Sequence, residues 1–285
     1  MRKKLEITEK KLTRFTGYLR REEREASTIE AYLRAARKFA AWLEGRAVTK
    51  ELAANWKAWL LEQGCRPVSV NAMLAAVKKL LVCMGREDCK VRYLRLQRQM
   101  FRKAERELTR AEYQRLLDAA QARGDIRLLL LLETLCATGI RVSELQYITV
   151  EAAQNGVAEI ALKGKIRTIL LPTKLCRKLL KYAKKRNICH GQIFLTRNGN
   201  GLSRKFIWSE MKELCEGAQV ARSKVFPHNL RGLFARTFYA ACRDVVRLAD
   251  VLGHSSIETT RIYLLATAKE SARQLDRLNL LSGWA

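Results

Sequence analysis

This sequence repeatedly places a hydroxyl side chain three residues ahead of a glutamate, at the head of an apolar stripe. The pairs are Ser27 with Glu30, Thr109 with Glu112, and Ser255 with Glu258. In such a capping box the hydroxyl accepts from one orphan backbone N–H of a helix start, and the carboxylate reaches back to another. The repeated signature commits the chain to a mainly helical fold. After Ser27, the residues Ile29, Tyr32, Leu33, Ala36, Phe39, Ala40 and Leu43 recur at helical spacing until Gly45. The same reasoning predicts helices over 8–21, 27–43, 49–63 and 69–84. Beyond Thr109 it predicts them over 110–122, 125–138, 173–186, 203–216, 228–242, 244–252 and 256–278. One segment breaks the pattern. Short apolar runs at 157–162 and 167–171 flank Lys163-Gly164-Lys165 and read as a β-hairpin closed by Pro172.

The 285 residues suffice for two domains, and the texture changes between the halves. Residues 90–106 carry Lys90, Arg92, Arg95, Arg98, Arg102, Lys103 and Arg106 against Glu105, with little apolar periodicity. The expected layout is a helical domain over 1–88, a basic linker over 89–107 and a mainly helical domain with a small antiparallel sheet over 108–285. A net charge of +27, spread over both halves, points to a polyanionic partner, with nucleic acid first. No apolar run approaches the length of a membrane span, and the charged start, Met1-Arg2-Lys3-Lys4, is not a secretory signal. Eight scattered cysteines without a Cys-x-x-Cys pair read as reduced intracellular thiols. Three histidines without ligand spacing give no metal site.

Three short motifs carry chemistry. The first is Thr138-Gly139-Ile140-Arg141-Val142-Ser143-Glu144, a helix stop followed by an arginine and a new helix. The second is His228-Asn229-Leu230-Arg231. The third is Leu252-Gly253-His254, with Tyr263 nine residues on. Here Gly253 stops one helix, His254 sits in the tight connection, and Tyr263 is expected about two turns into the helix opened by Ser255. In this order, with 23 residues from Arg231 to His254, the motifs resemble the tyrosine recombinase (phage-type integrase) family. The resemblance covers essentially the whole chain. It implies a helical core-binding domain followed by a catalytic domain whose site residues are Arg141, Lys163, His228, Arg231, His254 and the nucleophile Tyr263.

The residue types suit that reaction. A phenol can hold a phosphodiester's energy in a covalent bond, and it must lose its proton as it attacks. Charge then develops on the non-bridging oxygens, where Arg141 and Arg231 can each donate two hydrogen bonds without titrating. His254 would add a third donor. His228 lies one helical turn before Arg231, and the family places it near phosphate and tyrosine as an acid/base. By resemblance a hairpin lysine protonates the leaving 5′-oxygen. The turn here is one residue shorter than the family's usual form, so Lys163 is favoured and Lys165 stays open. Glu144 corresponds to a carboxylate that supports the arginine; alone, it also reads as a solvated helix residue. Tyr147, Tyr182 and Tyr239 lack the spacing from Leu-Gly-His, and Ile262, Leu264 and Leu265 are available to fill the core around Tyr263. Lys165, Arg167, Arg92, Arg95, Arg98, Arg102 and Lys103 are candidate DNA contacts.

The resemblance implies a site-specific recombinase or integrase that works through a 3′-phosphotyrosyl link and a Holliday junction. It also implies a homotetramer on double-stranded DNA, no cofactor, no membrane and a bacterial cytoplasmic setting. The short N-terminal part resembles the compact Xer type or the simpler integrases of mobile elements; the positive charge and a divergent-looking N-terminal region favour a mobile-element enzyme, with Xer-like dimer resolution as the alternative. A type IB topoisomerase-like enzyme and a non-catalytic DNA-binding protein are the other readings. The apolar tail residues Leu275, Leu278, Leu280, Leu281 and Trp284 are expected to dock either on their own domain or on a neighbour.

Overall fold

The computed structural model describes residues 6–97, 100–101, 104–162 and 165–278. The chain divides into two compact units, Met1–Arg98 and Gln99–Ala285.

The first unit holds α1 (Glu9–Arg21), α2 (Ala26–Leu43), α3 (Lys50–Glu62) and α4 (Pro67–Cys83). Helix α2 does not use its expected capping box. Glu25 takes the cap position and its side chain does not cap the helix, so Ser27 falls inside the first turn. Phe39, Trp56, Leu60, Leu74, Val77 and Leu81 form the core where α2, α3 and α4 meet. Packing continues past residue 88. Cys89 and Val91 are buried in that core, and Asn71 on α4 pairs through its amide with both backbone groups of Leu94, at 2.8 and 2.9 Å. The start of the basic stretch is thus fastened to the first unit. Its physical cause is the apolar alternation of Cys89 and Val91, hidden among charges.

The second unit is built around α6 (Ile126–Thr138), which packs against α5 (Arg110–Ala122), α8 (Thr173–Lys185) and α10 (Pro227–Cys242). Its leucines Leu128, Leu131, Leu132 and Leu135 are buried, as expected for a helix apolar nearly all round. The Thr109–Glu112 capping box forms as expected. Sequence reasoning passed over α7 (Val150–Asn155), although Thr149 caps it and Gly156 stops it. Strands β1 (Val157–Leu162) and β2 (Lys165–Leu170) make an antiparallel hairpin whose last pair is Leu162 with Lys165. Alternation sends Arg167 and Ile169 inward, while Ile166 is 84% and Leu170 76% exposed.

The C-terminal region departs most from expectation. The helix expected over 256–278 is two: α12 (Ile257–Arg261) and α13 (Ala268–Asp276). Ser256, not Ser255, caps α12, accepting from the Glu258 backbone N–H at 3.2 Å. After Arg261 the backbone bonds tighten to i−3 (Tyr263 N–H to Thr260 O, 3.0 Å) and the chain leaves the helix. Thr267 and Glu270 then form a capping box of their own and open α13. Tyr263 therefore lies in a turn, not two turns into a helix. Between α9 (Arg204–Glu213) and α12 the chain forms α10 and α11 (Val245–Leu252). Among the described residues no helix is long and apolar enough to cross a membrane.

Candidate active site

Two glycine-ended helices deliver the site's backbone. α6 ends at Gly139 with φ +64°, and α11 ends at Gly253 with φ +63°. Both positions are in the left-handed region that costs glycine least. Neither has room for a side chain. A Cβ on Gly139 would lie 2.3 Å from the Phe234 ring, and one on Gly253 would lie 2.4 Å from Cδ of Arg167. The carbonyls at these helix ends, Gly139 O and Leu252 O, point at one residue, Arg231.

Arg231 comes from α10, one turn after His228, with Pro227 at the first helical position. It is 3% exposed. Its Nη1 donates to Gly139 O, and its Nη2 donates to Leu252 O at 2.7 Å and to His254 Nε2 at 2.9 Å. Burial and then the charge of Arg141 pull its pKa down to about 10, which leaves it charged at neutral pH. No carboxylate among the described residues is paired with it. A buried guanidinium held by two carbonyls and a neutral imidazole keeps its positive charge uncompensated.

Arg141 follows Gly139 and Ile140 and starts a 3-10 helix over Val142–Tyr147, in place of the ordinary helix expected. Glu144, on that turn, is 3% exposed and is no solvated carboxylate. It accepts from the Arg141 backbone N–H at 2.7 Å, from Arg141 Nη1 at 2.9 Å and from Arg167 Nη2 at 2.5 Å. Burial pushes its pKa up, but the Arg141 N–H and the Arg167 guanidinium outweigh that, and the carboxyl stays below its ordinary range. Arg141 itself remains partly exposed and also reaches Gly253 O at 3.5 Å.

His254 leaves α11 by the turn at Gly253. Its Nε2 meets Arg231, and its Nδ1 lies 2.8 Å from Thr260 Oγ1. Burial, then Arg231, Arg141, Arg167 and His228, push its pKa down to about 4. His228 is lowered too, by burial and then by Arg231 and Arg141. Tyr263 is 8% exposed and packs with Ala235, Leu248 and Leu252, while neighbouring Ile262 is exposed. Its hydroxyl is 3.4 Å from His228 Nε2, and its ring lies nearly parallel to that of His254 at 6.2 Å. The open face of Gly232 lies 3.7 Å from the tyrosine ring, measured from a built Cβ.

The structure thus brings Arg141, Glu144, His228, Arg231, His254 and Tyr263 into one cluster. It adds Arg167, which sequence reasoning took for a DNA contact. Arg167 faces inward, bonding Glu144 and Val251 O (3.0 Å) and packing on Gly253. The alternation with Ile169 on β2 carried that signal. Thr260 and the two helix-end carbonyls were also missed, and nothing in their sequence context marks them. Lys163 lies outside the described residues, as do Arg98, Arg102, Lys103, Leu280, Leu281 and Trp284. The backbone of Lys165 closes the hairpin ladder, and Arg92 and Arg95 are exposed on the first unit. Chemically, the cluster presents a phenol beside a neutral imidazole, under three guanidinium groups of which two, Arg141 and Arg167, share a single carboxylate.

The sequence profile of the Phage integrase family matches residues 106–270, and that of its N-terminal SAM-like domain matches residues 9–88. The chain is 29% identical over 279 residues to the tyrosine recombinase XerA of Pyrococcus furiosus, covering 95% of this chain and 94% of that one. Its fold is similar to that of the Tn1549 transposon integrase solved with circular intermediate DNA (TM-score 0.72, 18% identity, 93% and 98% of the two chains). It is also similar to lambda integrase solved as a tetramer on a Holliday junction (TM-score 0.70, 17% identity, 90% and 76%). The chain belongs to the phage integrase family, the tyrosine site-specific recombinases.

Proposed function

We propose that this recombinase binds double-stranded DNA and cuts one strand at a time, with Tyr263 as the nucleophile. The observation that carries the reading is the Tyr263 hydroxyl on His228 Nε2, beside a buried arginine without a counter-carboxylate. The phenolic oxygen attacks the phosphorus and passes its proton to His228. That imidazole is neutral at physiological pH and so free to accept it. Arg141, Arg231 and His254 hold the non-bridging oxygens as charge builds on them. The bond from phosphorus to the 5′-oxygen breaks, and Lys163 supplies the proton that oxygen needs. The product is a 3′-phosphotyrosyl bond and a free 5′-hydroxyl, so a second 5′-hydroxyl can reverse the step without an energy source.

Exchange between two duplexes needs four such sites, hence a homotetramer and a Holliday junction; the lambda integrase complex supports this by likeness of fold. The host process we propose is integration or excision of a mobile element. Resolution of chromosome or plasmid dimers is the second reading, favoured by relatives such as XerA. A duplex nicked near its cleavage site tests the core of the proposal. Covalent protein–DNA should accumulate with the native chain and vanish in Tyr263→Phe; no covalent product on the DNA the protein occupies in its host would sink it. Exchange of labelled strands between two duplexes then separates recombination from topoisomerase action, and the map of occupied DNA separates the two host processes.

A further inference from the structure

The geometry at His254 raises a difficulty for a residue meant to donate to phosphate. A guanidinium has only donors, so the 2.9 Å contact makes His254 Nε2 the acceptor from Arg231. The proton of the neutral ring is then on Nδ1, donated to Thr260 Oγ1 at 2.8 Å. In this state the edge facing Arg231 carries no proton for an incoming oxygen.

Two routes can supply one. The ring can take up a proton and become an imidazolium, or it can stay neutral and exchange tautomers. The groups facing it oppose the first route: Arg231 from α10, Arg141 from the turn after α6, Arg167 from β2 and His228 from α10 are all cationic or basic. The nearby carboxylate, Glu144, is already engaged by Arg141 and Arg167, and Tyr263 offers a ring face. The second route needs an Nδ1 partner that can accept from one tautomer and donate to the other. A carboxylate or a carbonyl oxygen can only accept; a hydroxyl can do both by rotating. Thr260 is fully buried, and its hydroxyl is the group that meets Nδ1 on the half-buried ring.

We propose that Thr260 is a positioning residue that switches His254 between its two neutral tautomers, letting it donate to a phosphate oxygen without charging. The idea rests on the reading of this site as a phosphate-binding recombinase centre. In the switch the imidazole loses the Nδ1 proton to water and gains one from water at Nε2. The Thr260 hydroxyl turns to donate to Nδ1, and the Arg231 N–H released by Nε2 turns to the phosphate. Net charge is unchanged.

The chain has three histidines, His190, His228 and His254, so selective nitrogen labelling gives a spectrum that His254→Gln can assign. Inorganic phosphate, added until the signals stop moving, should convert His254 from the Nδ1–H to the neutral Nε2–H form. An imidazolium pattern, or an Nδ1–H form that never changes, would overturn the proposal. In parallel, Thr260→Val should form covalent product on the nicked duplex about 10-fold more slowly, the loss of roughly one hydrogen bond. Thr260→Ser should restore the native rate, with DNA affinity level across the three. Equal rates for Thr260→Val and the native chain would also overturn it. If the native chain forms no covalent product, the recombinase reading fails by itself, and the phosphate titration still decides the switch.

Discussion

Helix α6 joins two cationic regions of opposite design. At its C-terminal end lies the cluster around Arg231. Roughly 20 Å away, from thirteen residues at about 1.5 Å each, its N-terminal end borders a second basic groove. There Arg127 bonds Glu210 and Leu195 O, Lys178 bonds Glu133, and Arg123 bonds Glu213. Each of those cations has its own carboxylate. At the other end Arg141 and Arg167 share Glu144, and the more buried Arg231 is held by two carbonyls and the His254 ring. Neutralised arginines hold a fold together; an arginine buried beside carbonyl dipoles keeps a net charge that no carboxylate cancels.

The largest expected effect breaks the comparison at its centre. Arg231→Ala should slow covalent-product formation by about 10²- to 10³-fold, the range for losing one preorganised donor to a developing oxyanion. Arg127→Ala should leave that rate within twofold and lower unfolding stability by about 2 kcal/mol, because Glu210 loses the charge it bonds. Single-turnover kinetics and denaturant unfolding on both variants decide it. If the two variants lose rate equally, the division of roles between the ends of α6 is wrong.

A second test uses pH. His254 has an ordinary pKa of 6.5 and a folded value near 4. Between those values the unfolded ring takes up a proton and the folded ring does not, so stability falls as pH drops from 6.5 to 4. The full loss is on the order of 3 kcal/mol, at about 1.4 kcal/mol for each pH unit between the two values. His254→Gln should make this part of the stability profile shallower, leaving the smaller part that His228, also lowered, contributes with the same sign. A slope unchanged by the substitution would place the effect on another group.

How far these regions could be read from sequence follows from what holds each together. Arg141, His228, Arg231, His254 and Tyr263 were legible because glycine stops and fixed spacings place them on known local structures. The alternation on β2 made Arg167 readable as an inward residue, yet the overall charge drew it to the surface. The turn around Tyr263 was not read, although Thr267 with Glu270 repeats the very signature that opens α5. Tertiary contacts decided it: Tyr263 packs on α10 and α11, and Thr260 is tied to His254, at the expense of continuing the helix. The carbonyl cradle of Arg231 was beyond reading, since backbone oxygens leave no trace in side-chain pattern.

The two carboxylates sharpen the contrast further. Burial drives both upward, but Glu144 ends below its ordinary range, while Glu210, with Arg127 against the nearby Asp125 and Glu213, ends above it. Glu144 thus contributes stability that is present above the ordinary carboxylate pKa and is lost as pH falls through its lower folded value. For Glu210 the sign reverses: ionisation costs stability at neutral pH, and the cost is relieved as pH falls through its raised value. Glu144→Gln should therefore destabilise at pH 7 by about 2 kcal/mol, and Glu210→Gln by less than about 1 kcal/mol. Matched denaturant curves at pH 7 would expose the opposite ordering if the carboxylate at the site is not the more tightly held.

The smallest expected effect concerns the rim of the second groove, where Lys181, Lys185 and Arg197 are exposed. Exposed charges roughly 20 Å from the chemistry are screened within about 10 Å at ordinary salt. Lys181→Glu with Lys185→Glu should therefore leave the rate of covalent-product formation at saturating DNA within twofold, and stability within about 0.5 kcal/mol. The informative measurement is that rate at low and at physiological salt. If the double variant slows the reaction at both, the positive charge at the two ends of α6 acts as one field, and the functional separation between paired and carbonyl-held cations does not hold.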